Sequence, residues 1–193
     1  MVAWSCPAST GTAMPAVPAA ACVLGPVLRF FRWAHVAVVA APAGLWLEVA
    51  QGAAQELRAA GLPVSVVAVA GAEEEEAEEA LRKVKRADGV RVVLMCSHSA
   101  LLGGAEQRVL LEKAADMGMA DGAFVFIPYD ALAFPLPYQG VAYPALANSS
   151  RLRRAHDAVL TVTMECAGGS LHQALRRAQE AGELPAHIDP VQV

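Results

Sequence analysis

Aromatic residues are scarce in this 193-residue chain, at 6%, with three Trp, three Tyr and five Phe. Charge is thin as well. Asp, Glu, Lys and Arg together make 18%, under the quarter usual for soluble domains. Fifteen Lys and Arg against nineteen Asp and Glu give a net charge of −4. No basic patch is interleaved with aromatics, so the balance argues against a nucleic-acid partner. No apolar run reaches the roughly 18–20 residues of a membrane-spanning helix. Met1 to Pro7 has no basic stretch ahead of a compact apolar segment, so no secretion signal is read there.

Motifs of chemistry are missing too. Gly103-Gly104 fits neither G-x-G-x-x-G nor G-x-x-x-x-G-K-[ST], which argues against dinucleotide binding and nucleotide hydrolysis. No G-x-S-x-G elbow presents a serine nucleophile. The cysteines, Cys6, Cys22, Cys96 and Cys166, include no C-x-x-C pair, so neither zinc nor an iron–sulfur cluster is expected. Cys96 reads as a small inert hydrophobe at the end of a strand. Cys6 and Cys166 sit in loop-like surroundings, open to pairing if the compartment oxidises. Paired carboxylates at strand ends, which a small nucleotide- or sugar-modifying enzyme would show, are not found.

What the chain has in quantity is Ala and Val, within a hydrophobic content of 55%. Its length suits one domain, or one lobe of a larger one. The stretch Arg32 to Ala41 organises the rest. It is a short β-branched apolar run, read as a strand over Ala34–Ala40 buried on both faces. Pro42-Ala43-Gly44 follows, then a helix over Leu45–Ala60 with Leu45, Val49, Ala53 and Leu57 on one stripe. The unit recurs. Val64–Val69 is a second strand. Glu73 to Glu79 opens a third helix, which Leu81, Val84 and Ala87 continue. Val90–Cys96 is a third strand, Ala105–Met117 a fourth helix and Ala123–Pro128 a fourth strand. The fold class expected is α/β, a mainly parallel open sheet with helices on both faces.

Ahead of these units, residues 8–20 are an aperiodic lead-in and Ala20–Phe31 a short helix with Pro26 inside it. Beyond them, residues 134–150 form a long connection and Arg151–His156 a basic turn. Asp157–Thr163 is a fifth strand candidate, and Ser170–Ala181 a last helix. The acid run is a solvated helix face rather than a calcium site, because a helix does not converge oxygens on one ion. It suits the helix dipole, with Glu78–Arg82 and Glu79–Lys83 as i, i+4 pairs.

Candidate ligand contacts follow from topology. Open α/β sheets bind ligands beyond the carboxyl ends of their strands. Trp46, Ser97, His98, Ser99, Tyr129 and Asp130 all fall there. They combine an aromatic surface with several hydrogen-bonding groups. Packing and capping are the competing roles for each. Asn148-Ser149-Ser150 is an N-glycosylation sequon. No residue is assigned a catalytic or metal-ligating role.

Arg32 to Val39, Ser99 to Arg108 and Ala145 to Thr161 resemble the ectodomains of membrane guanylyl cyclases, in particular the retinal and olfactory sensory branch. Trp4-Ser5-Cys6-Pro7 resembles the lead-in that closes the preceding lobe. The resemblance implies one lobe of a type I periplasmic-binding-like domain. Residues 1–31 would be a lead-in loop and first helix from the inter-lobe region. Residues 32–193 would be a second lobe truncated at its C-terminal end, so both ends read as cuts through a longer protein. It implies a single-pass, homodimeric receptor on the extracellular or disc-lumenal side, with a peptide ligand or none. An intracellular cyclase would convert GTP to cyclic GMP and pyrophosphate with a divalent metal, under calcium-sensing activator proteins. No cofactor and no cyclase activity are expected of this chain itself. The competing reading is a free-standing periplasmic-type protein that binds a small solute.

Overall fold

The computed structural model of the chain describes residues 20–130 and 143–162. Four strands, β1 (His35–Ala40), β2 (Val64–Val69), β3 (Val90–Cys96) and β4 (Val125–Pro128), pair in parallel in the order β2-β1-β3-β4. Every residue of β1 after His35 is buried. Val36, Val38 and Ala40 pack with α1 (Ala20–Phe30) and α2 (Trp46–Ala59), while Ala37 and Val39 pack with α3 (Glu74–Arg86) and α4 (Ala105–Asp116). A strand covered on both faces has no polar side to show, hence its unbroken apolar sequence.

The chain leaves β1 through α2 to reach β2 at one edge. It then returns over β1 through α3 to form β3, and α4 leads on to β4. Winding therefore reverses between β1 and β3, with α2 and α3 on opposite faces. β2 is the edge strand, and Val67 and Val69 on it are 40% and 46% exposed.

α1 carries Pro26 inside it and ends on Arg32, whose φ of +58° is left-handed. The Arg32 amide donates to the Arg29 carbonyl at 3.1 Å and the Trp33 amide to Leu28 at 2.8 Å. These are the two bonds of a Schellman close, where glycine is the usual residue. Its Leu24 and Leu28 are buried in the same core as α2's Ala53 and Leu57. In α3 the first turn holds Glu74, Glu75 and Glu76, and the last holds Lys83, Lys85 and Arg86. The expected Glu78–Arg82 and Glu79–Lys83 pairs form at 2.5 and 2.8 Å.

Three local expectations change. Residues 151–156 are not a turn: they lie within a helix, α6 (Ser150–His156), preceded by a short α5 (Pro144–Asn148). The Ser149 hydroxyl accepts from the Leu152 amide at 3.1 Å, capping α6, and Leu152 and Ala155 are buried. The segment expected as a fifth strand is reduced to one parallel bridge, Phe126 to Val159, flanked by amide bonds of 2.9 Å from Phe126 to Ala158 and from Leu160 to Phe126. The helix takes the residues up to His156, so the chain meets β4 only from Ala158 on. β4 itself begins at Val125 rather than Ala123, because Gly122 is still turning at φ +89°. The first lead-in, Tyr138, Cys6, Cys166 and the expected helix at 170–181 lie outside the described residues.

Arg151 fixes α6 to the body of the lobe. It pairs with Asp116, and with Glu74 and Glu112 at 3.4 and 3.5 Å. Lys113 joins the group through Glu74 at 3.1 Å and Glu78 at 3.2 Å. Glu112 is buried, and the Ser149 hydroxyl donates to it at 3.1 Å. A carboxylate held out of water this way needs those partners.

Candidate functional site at the carboxyl edge of the sheet

The loops after β1 and β3 meet where the winding reverses. Residues 41–45 lead from β1 into α2, so Trp46 is that helix's first residue. Ser97-His98-Ser99 comes straight off β3. The two rings meet edge to face: Trp46 and His98 have centroids 5.0 Å apart and planes at 89°. Trp46 is half-buried and His98 exposed, so one flank of the indole rests on the core and the imidazole is presented to solvent.

The loop carrying His98 is held from below. Ser99 is buried; its hydroxyl accepts from the Leu101 amide at 3.2 Å. Its carbonyl accepts from Leu102 at 3.0 Å and Gly104 at 2.8 Å, closing a 3-10 turn over Ala100–Leu102. Ser99 thus serves the loop rather than its surface. Gly104 passes so close beneath that a β-carbon there would lie 2.1 Å from the His98 carbonyl oxygen. Only glycine permits that approach. Ser97 is buried beside it.

A further residue was not singled out from sequence. Gln107, buried on α4, accepts through Oε1 from the Ala100 amide at 2.9 Å, while its Nε2 has no hydrogen-bond partner in the structure. Its only sequence cue is a polar residue at a helix position facing the core.

Tyr129 separates from this pair. Tyr129 is buried among the residues that pack on α1 and α2, and its amide donates to Met95 at 2.9 Å. Burial, with Cys96 and Glu56 adding to it, pushes its phenol up to about 12. Its ring belongs to the core. Asp130 is half-buried, and its charge reaches Cys96, whose free thiol is pushed up to about 12, mainly by burial. A thiol so protonated is unreactive. Cys22, on α1, is disulfide-bonded. Asn148 is exposed at the end of α5, and Ser150 is exposed at the start of α6. Among the described residues, no group of three or more His, Cys, Asp or Glu is placed to hold a metal. No helix among them is long and apolar enough to cross a membrane.

A doubly wound parallel lobe with its loops gathered at the reversal of strand order is the architecture of one half of a periplasmic-type binding protein. The chain belongs to the receptor family ligand binding region, which it matches over residues 12–193. It is 50% identical over 197 aligned residues to retinal guanylyl cyclase 1 of Bos taurus and 49% identical to that of Homo sapiens, covering 100% of this chain in both cases. To retinal guanylyl cyclase 2 of Bos taurus it is 42% identical over 89% of the chain. The chain spans only 18% of the first two relatives and 16% of the third.

Proposed function

We propose that this chain is the ligand-binding-region lobe of a receptor guanylyl cyclase of the retinal type, and that its carboxyl edge is a contact surface for a ligand or a facing lobe. The match to retinal guanylyl cyclases along the whole chain carries the first part and favours it over a free-standing solute-binding protein. The Trp46–His98 pair at the reversal of strand order carries the second. Ser97, buried and next to His98 in the chain, and Asp130, which follows β4, are the further polar candidates at this edge. Ser99 positions the loop, and Tyr129 supports it from the core. The full-length receptor makes cyclic GMP from GTP with a divalent metal, in a domain other than this one. It works as a homodimer, and calcium-sensing activator proteins act on its intracellular parts. The lobe lies on the extracellular or disc-lumenal side, in keeping with the disulfide at Cys22, since such bonds persist in oxidising compartments. Asn148, exposed in its sequon, carries a glycan there.

The test is a graft. The chain replaces the matching segment of bovine retinal guanylyl cyclase 1, and cyclic GMP formation is measured in membranes. The graft is expected to keep cyclase activity and glycosylation, while the chain alone, given GTP and manganese, makes no cyclic GMP above background. Cyclic GMP from the chain alone, or a graft that is delivered intact yet inactive, overturns the assignment. For the edge, chemical-shift mapping of the lobe joined to its partner lobe should show Trp46 and His98 among the perturbed residues. Perturbation confined to the outer faces of α2 and α3 overturns that part alone.

A further inference from the structure

The opposite, amino-terminal edge of the sheet carries a corner that the function above leaves unused. Arg29, Phe30, Phe31, Arg32 and Trp33 turn α1 into β1 there. Phe30 is 80% exposed and Phe31 47%. The rings form one connected group: Phe30 meets Phe31 edge to face at 5.0 Å, and Phe31 stacks on Trp33 at 4.5 Å with planes 19° apart. Large rings are normally buried, and a connected exposed group of them marks a contact surface. A hollow of about 390 Å3 opens beside them, with Arg29, Arg32 and Trp33 on its walls and Leu28 and Leu62 among its lining. Arg29 spends one nitrogen on the Ala60 carbonyl at 3.2 Å. Among the described residues, neither arginine is ion-paired. Arg32 occupies the left-handed close of α1, where glycine is the residue of least strain. The backbone thus tolerates an unfavourable residue where its guanidinium flanks the rings.

We infer that this corner docks on the surface of a phospholipid bilayer. Aromatic rings settle at the boundary between head groups and acyl chains, where an apolar body meets water. Guanidinium is the side chain best shaped to take a phosphate through two parallel hydrogen bonds. Exposed rings flanked by unpaired arginines match a layer that is apolar below and phosphate-bearing above. A second copy is the poorer occupant, because a two-fold contact on the arginine side would set like charges against each other. On the far side of Phe31 and Trp33 a second hollow holds Asp157, so the positive charge is confined to the Arg29–Arg32 side. The corner lies at the opposite end of the strands from Trp46 and His98. Docking there leaves the carboxyl edge open, and the inference does not depend on the reading of that edge.

The test is flotation of the 193-residue chain with phosphatidylcholine vesicles, with and without phosphatidylserine. The chain is expected to float with both, and more with phosphatidylserine at low salt. Phe30→Ser with Phe31→Ser should cut the bound fraction about tenfold, the loss expected when two rings no longer leave water. Arg29→Gln with Arg32→Gln should remove the gain from phosphatidylserine. Phe30→Ser alone, at the most exposed ring, keeps the test readable should the double variant misfold. Absence of flotation, or flotation that these variants leave unchanged, overturns the inference. So does a dimer in sedimentation equilibrium that the Phe30→Ser variant splits, because the surface would then belong to a second copy.

Discussion

Trp46 and His98 touch edge to face across the reversal of strand order, although one opens α2 and the other follows β3. Their contact reports whether the two loops are in register. Replacing His98 with Ala removes an exposed ring and should change stability by no more than about 0.5 kcal/mol. It should still shift the Trp46 emission, read against a Trp46→Phe control. A fluorescence spectrum identical to wild type means the rings do not meet in solution.

Gly104→Ala should do the reverse. A β-carbon 2.1 Å from the His98 carbonyl oxygen meets backbone, not the tip of a side chain. The loop must move, at a cost of about 1–3 kcal/mol. Urea denaturation should show that loss, with the Trp46 signal displaced in the same variant.

The Arg151 cluster should govern the acid response. Arg151 holds the Asp116 carboxyl below its ordinary 3.8, and Lys113, then Arg151, hold Glu74 below 4.5. Burial lowers His156 from 6.5. In each case the unfolded chain binds the proton more tightly than the fold does. Stability is therefore complete above the ordinary values and falls as pH drops through the lowered ones. The first loss should appear below pH 6.5 through His156, the second in the carboxylate range. Thermal melts across pH should show both steps, and Arg151→Ala should weaken the second. At neutral pH that variant should lose about 1–2 kcal/mol, because Glu112 is left buried with fewer partners.

Arg32→Gly should raise stability by about 1 kcal/mol, the strain of a left-handed residue with a β-carbon. A melting temperature that falls instead would mean the Arg32 side chain contributes contacts not seen in the fold.

Periodicity and apolar runs were enough to locate β1, β2, β3 and α2 to α4 within a residue or so, because each is buried on a face whose pattern is local. Residues 150–156 were harder. Their helix is short, and its stability comes from Leu152 and Ala155 against α4 and from Arg151 reaching Asp116, Glu74 and Glu112. None of those partners is near in sequence, although Ser149 as a cap was a readable cue. At the candidate site, the strand-end rule singled out Trp46 and His98, whose rings meet at that edge. It could not separate Tyr129 from them, because the rule fixes a residue's position along a strand but not where its ring turns. Gln107 escaped because its partner is an amide on the loop before its own helix.

β2 has one further consequence. Its outer side is unpaired among the described strands, and Val64-Ser65-Val66-Val67-Ala68-Val69 contains no lysine, proline or acid to discourage a newcomer. Arg58 donates to the carbonyl of the strand's first residue, Val64, at 3.0 Å, but beyond that a sheet ending so is extensible, and another strand can hydrogen-bond to it. Purified by itself, the lobe should therefore lengthen into aggregates through this border. A single Val67→Lys exchange, at an already exposed position, should stop that growth while leaving the carboxyl edge and the aromatic corner intact.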